Sequence, residues 1–325
     1  MSDPSTDDGA EPNETGRGDA DAPDATPTAD GSDGTPAADG SGRTATSAGE
    51  DPDPTTTAPP NDPEPSAVPD SPLRAVGVAV GLGTLGIAFV LLSSLLVFGI
   101  DAAVVELPLA VNLGLTLVLG QYVAFGGLAL AYLLYRGFDR SGIVSYLGIR
   151  RPSLTELGLV LGGWVVILIM VVSISTLLQV IGAETAANQS AELAVQNPAV
   201  IPLLIAASFL VIGPAEEVLY RGIVQSRLRE SISAVPAIAI ASAIFAFVHV
   251  IALTGGIQGR LTTIAVLFFP SLVFGAVYEY TDNIVVPALL HGLHNAVLFT
   301  LLYVAVAYSD ELEELAEGGM ALLPV

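Results

Sequence analysis

The chain's histidines, His249, His291 and His294, all fall inside long apolar runs, and so do two adjacent glutamates, Glu216 and Glu217. Ionisable side chains in such surroundings cost several kcal/mol and are functional candidates. The glutamates stand in VIGPAEEVLYRG, with Arg221 one helical turn beyond Glu217. His249 closes AIFAFVHV, with Phe245 one turn before it, and HGLHN separates His291 from Asn295 by one turn. Side chains four apart share a helix face. Glu217 and Arg221 have the favourable acid-first order for a helical ion pair. Arg221 is therefore expected to neutralise Glu217 and leave Glu216, about 100° round the helix, for another task. His294 points about 60° away from His291 and reads as structural.

Glutamate and histidine without a nucleophile point to activated water. A carboxylate can take a proton from water while an imidazole orients it. A histidine and an asparagine amide on the facing wall can donate to the oxyanion of a tetrahedral intermediate. Together these outline peptide hydrolysis without an acyl-enzyme. The same donors, Glu216, His249 and His291, also suit a zinc ion with a water in its open position. The residues alone leave the two open. Other proteolytic arrangements are absent: no H-E-x-x-H, no G-x-S-G, no cysteine, and Asp101 and Asp282 lie only at the edges of apolar runs.

These residues must be positioned by membrane helices. The chain is 325 residues long, 52% hydrophobic and only 14% charged, against about a quarter charged in soluble proteins. Seven apolar runs, near 75–100, 107–135, 157–180, 197–220, 234–252, 261–279 and 284–308, approach the ~20 residues that cross a bilayer. In hydrocarbon they must be helices, because unpaired backbone groups are too costly there. The expected fold is all-α, a polytopic bundle over 73–310. Glu216 and His249 stand nearly equidistant from the turn near Ile232, each about 25 Å along its helix, so they can face one another.

With the N-terminus cytoplasmic, Arg74, Arg136, Arg140, Arg150, Arg151, Arg227 and Arg229 lie inside and Arg260 outside, a strong positive-inside pattern. That predicts a multi-pass cell-membrane protein with its C-terminus outside. GIVSYLGIRRPS reads as an amphipathic piece at the cytoplasmic surface. Residues 1–72, which hold 17 of the 33 acids, have no apolar pattern and are expected to be a disordered acidic tail. Residues 311–325 form a short acidic C-terminal tail. The acidic, lysine-free composition fits a halophilic setting. With no basic patch, nucleic-acid binding is excluded as a main activity.

Glu216-Glu217-x-x-x-Arg221, Phe245-x-x-x-His249 and His291-x-x-x-Asn295, in this order on separate spans, resemble the CPBP family. These are the type II CAAX prenyl endopeptidase and bacteriocin-processing (Abi) intramembrane metalloproteases. The resemblance covers about 140–308, including LGIRRP. It implies that Glu216 and His249 activate water and that His291 and Asn295 form the oxyanion pocket. Glu217, Arg221 and Phe245 support them. It further implies a bundle with an intramembrane cavity, membrane lipid as surroundings, and a peptide or protein substrate, in the eukaryotic branch one with a lipidated C-terminus. The competing readings are a non-catalytic membrane scaffold or immunity protein of the same fold and a proton-coupled transporter.

Overall fold

The computed structural model describes residues 71–103 and 106–309. The acidic segment at 1–70 and the C-terminal tail at 311–325 lie outside the described residues. Nine helical elements follow one another among those described, without a strand. They are α1 (Pro72–Ala103), α2 (Leu109–Tyr135), α3 (Arg140–Tyr146), α4 (Leu154–Val180), α5 (Gln189–Gln196), α6 (Pro198–Arg229), α7 (Ala234–Ala252), α8 (Ile257–Thr281) and α9 (Val285–Ala307). Seven of them, all but the short α3 and α5, are long and apolar enough to cross a membrane. The expected all-α bundle of seven spans is therefore what the chain forms.

The burial pattern is that of a protein whose solvent is lipid. On α1 and α4, side chains such as Leu92, Leu95 and Ile169 face outward. Only 11% of the most apolar stretch of α4 is buried within the protein, against 39% for α6. α6 is the axis of the bundle: Leu204, Leu219, Tyr220, Ile223 and Val224 are all fully buried. α6 also runs to Arg229, beyond the apolar run that ends near residue 220. Its polar extension is held by Arg227 on Glu230 at 2.9 Å and Arg229 on Glu279 at 2.8 Å.

Gly213-Pro214 predicts a kink in α6. The helix continues without a break, with π-helical stretches at Ser208–Ile212 and Val218–Gln225 on either side of Gly213–Glu217. The first of them contains Leu210, whose carbonyl an N–H at position 214 would have met in a regular α-helix. π-Bulges of this kind recur at functional sites.

GIVSYLGIRRPS is a short helix, α3, followed by a clamp. Ser153 and Glu156 form a capping box that starts α4. Arg150 binds Glu156 at 2.6 Å and donates to the Thr281 carbonyl at 2.9 Å. Gly148 has φ +61°, and a Cβ there would lie 2.0 Å from the Asp282 carbonyl oxygen, so only glycine lets this loop seat on the α8–α9 turn. At the same end Glu230 accepts from Arg136, Arg227 and Tyr146. Burial and the Glu230 carboxylate push the Tyr146 hydroxyl up, so it stays a neutral donor.

Candidate active site

Two glycines bring the motifs of α6 and α9 together. A Cβ on Gly213 would lie 2.7 Å from the Ala288 carbonyl oxygen, and one on Gly292 would lie 2.9 Å from that of Ser208. The helices cross backbone against backbone, as small residues permit between membrane helices. The crossing places His291 directly over the two glutamates of α6.

Glu217 is the polar centre. Its Oε1 accepts from Arg221 Nη1 at 3.0 Å and from His291 Nδ1 at 2.8 Å. Glu217 and Arg221 are fully buried. Arg221 also donates to the Ser271 carbonyl at 3.0 Å and its hydroxyl at 2.6 Å. The expected ion pair is formed. Glu217 has a second partner that its spacing did not reveal, because His291 lies on another helix.

Glu216 faces the other way. Its Oε1 accepts from Gln121 Nε2 at 2.9 Å. Its Oε2 has no hydrogen-bond partner among the described residues and stands 3.9 Å from His291 Nε2. The carboxylate that spacing left for another task thus keeps one oxygen available in a buried place.

His249 ends the α-helical part of α7, where its Nδ1 meets the Phe245 carbonyl at 2.8 Å. A carbonyl only accepts, so Nδ1 carries a proton. The Phe245 ring is the hub between the motifs. It lies edge-on to His249, His291 and Tyr220, with centroids at 4.7, 5.7 and 5.1 Å, and Arg221 sits 4.4 Å over its face. Phe274 stacks on His291 at 4.8 Å. His249 therefore joins the cluster through Phe245 rather than by a hydrogen bond to Glu216. Asn295 is half-buried one turn beyond His291 and, among the described residues, makes no hydrogen bond; nor does His294.

The donor types suit zinc, yet among the described residues no three His, Asp or Glu side chains form a group that could hold a metal ion. His291 Nδ1 and His249 Nδ1 both meet protein acceptors, which leaves each Nε2 as the nitrogen that could face a metal. As they stand, Glu216, His249 and His291 are not gathered into a three-residue metal centre.

Sequence reasoning missed Gln121, Ser271 and Phe274. Gln121 left a signal, as the polar side chain amid the apolar run LTLVLGQYVAFGG. Phe274 left none, since an aromatic residue in a membrane helix is ordinary.

Fold and site together define a membrane-embedded helical bundle with a buried glutamate–histidine cluster on its central helices. Residues 198–297 match the family model for type II CAAX prenyl endopeptidase, Rce1-like. That segment carries all three motifs, from α6 to α9, and together with the seven membrane-capable helices the match supports a multi-pass membrane peptidase at family level. No curated protein and no solved structure matches the chain.

The glycine crossing is open to test. Gly292→Ala should destabilise the protein by about 1–3 kcal/mol, the usual cost of overpacking, because two of the three atoms it would meet belong to backbone. Gly158→Ala on α4, where an added Cβ meets nothing within 4 Å, is the control. Thermal melting in detergent checks the pair. Equal melting temperatures for the two variants would refute the tight crossing.

Proposed function

We propose that this chain is an intramembrane endopeptidase in which Glu216, with His249, activates the attacking water. The observation that carries this reading is the unpartnered, buried Oε2 of Glu216 beside His291. Glu216 Oε2 takes a proton from water as the oxygen attacks the scissile carbonyl, and later returns it to the leaving amine. His249, held against the Phe245 ring, walls in the same water and so orients it. His291, doubly protonated, donates Nε2–H to the oxyanion, joined by the Asn295 amide. Glu217 and Arg221 hold His291 in place.

The substrate is a peptide or protein segment reached from the membrane, and the family match makes a lipidated C-terminus the first class to assay. The test is purified protein with a peptide library that includes prenylated C-termini, with and without chelator. Absence of cleavage with every peptide would refute the reading. Loss of cleavage on chelation, restored by zinc, would instead make Glu216, His249 and His291 metal ligands.

The arginine distribution supports a cell-membrane location with the N-terminus and the Arg227–Arg229 end cytoplasmic. Reporter fusions at Ser309 should therefore read out on the exterior. A cytoplasmic readout would overturn this orientation.

A further inference from the structure

We propose that Gln121, on α2 and outside the segment matched by the family model, is a positioning residue for Glu216 and for the attacking water; this rests on the peptidase reading above. Three side chains from the π-helical stretch Val118–Gly126 engage α6 around the site. Gln121 Nε2 donates to Glu216 Oε1 at 2.9 Å. The Tyr122 hydroxyl donates to the Leu210 carbonyl. Phe125 meets the Tyr220 ring edge-on at 5.6 Å. α2 is therefore pinned to α6 on both sides of Glu216.

The bond fixes the amide's orientation. An ionised carboxylate can only accept, so Gln121 must present its nitrogen to it and turn its oxygen elsewhere. That oxygen, Gln121 Oε1, is buried without a hydrogen-bond partner among the described residues, and so is Glu216 Oε2. Buried acceptors are normally satisfied, yet here two are left over on side chains already bonded to each other. Both need a donor, and a water molecule offers two. A water donating one proton to Glu216 Oε2 and the other to Gln121 Oε1 has a lone pair left to attack the scissile carbonyl. In the step itself its oxygen bonds to the carbonyl carbon, and the proton on Oε2 passes to Glu216 and then to the leaving nitrogen as the C–N bond breaks. Gln121 exchanges no proton. It holds the carboxylate still and fixes one of the water's two hydrogens.

Gln121→Met keeps the length of the side chain and removes both polar atoms. With an internally quenched peptide bearing a farnesylated cysteine near its C-terminus, kcat should fall about ten- to a hundredfold, the order for misplacing a reacting group. KM should stay within about twofold, because only the transition state uses the interaction. Glu216→Gln is run in parallel. If Glu216→Gln cleaves at the wild-type rate, the peptidase reading fails. If Glu216→Gln is inactive and Gln121→Met has the wild-type kcat, or raises KM alone, only the positioning role fails.

A measurement that needs neither turnover nor a folded variant uses the unaltered full chain. Solid-state NMR of protein labelled with 15N at glutamine side chains and 13C at glutamate carboxyls should show a dipolar contact of hydrogen-bonded range between the two. Among the described residues the only glutamine–glutamate hydrogen bond is Gln121–Glu216. Absence of that contact overturns the proposal, whatever the kinetics.

Discussion

Glu216→Gln is expected to lower peptide turnover by a factor of order 10² to 10⁴, the range for losing a positioned general base, while yield and melting temperature stay near wild type. The separation follows from how the carboxylate is held. Its Oε1 accepts from Gln121, and a glutamine oxygen at the same place can accept that bond equally well. Its Oε2 makes no hydrogen bond among the described residues, so replacing it with an amide nitrogen breaks no contact seen to hold the fold. What disappears is the lone pair that takes the water's proton. Turnover with the prenylated peptide and a melting curve in the same detergent check both halves. Wild-type cleavage by Glu216→Gln would remove it as the base.

Glu217→Gln should do the opposite, with its damage appearing first in yield and stability. Glu217 and Arg221 are both fully buried and bonded at 3.0 Å. Neutralising one leaves a guanidinium without its counter-charge in a low-dielectric place, a loss on the order of 3–5 kcal/mol. The hydrogen bonds from Arg221 Nη2 to Ser271 occupy that nitrogen but supply no net charge. Replacing both, as Glu217→Met with Arg221→Met, should recover yield better than the single change, since no charge is then stranded. Activity should not return, because His291 Nδ1 loses the carboxylate that orients it. The measurements are expression yield, melting temperature and turnover for the single and double variants. If Glu217→Gln folds well and is inactive while Glu216→Gln cleaves normally, the base is Glu217 and the two roles are exchanged.

The sequence by itself determined the architecture and the short-range chemistry. Seven spans were legible because a bilayer demands about 20 apolar residues in one unbroken run, and the helices found depart from those runs mainly at their ends. α6 runs on to Arg229, as the placement of Glu216 about 25 Å along its helix from the turn near Ile232 requires, and Glu230 and Glu279 hold that polar extension. The Glu217–Arg221 pair was legible because both residues lie on one helix at a spacing that fixes their separation. His291 and Asn295 could be placed on one face for the same reason.

Only the tertiary structure decided how those faces meet. That Glu217, not Glu216, accepts from His291 Nδ1 depends on how α6 and α9 cross, and the crossing is set by the close approach at Gly213 and Gly292. The π-helical stretches flanking Gly213–Glu217 shift the register of α6, a displacement that a regular 3.6-residue period does not contain. His249 reaches the cluster through the Phe245 ring, although its distance from the hairpin turn allowed it to face Glu216 directly. Gln121 lies 95 positions before Glu216 and becomes its partner only because α2 packs against α6. Helical periodicity specifies neighbours within a turn; which side chains meet across two helices is fixed by the crossing and rotation that packing selects.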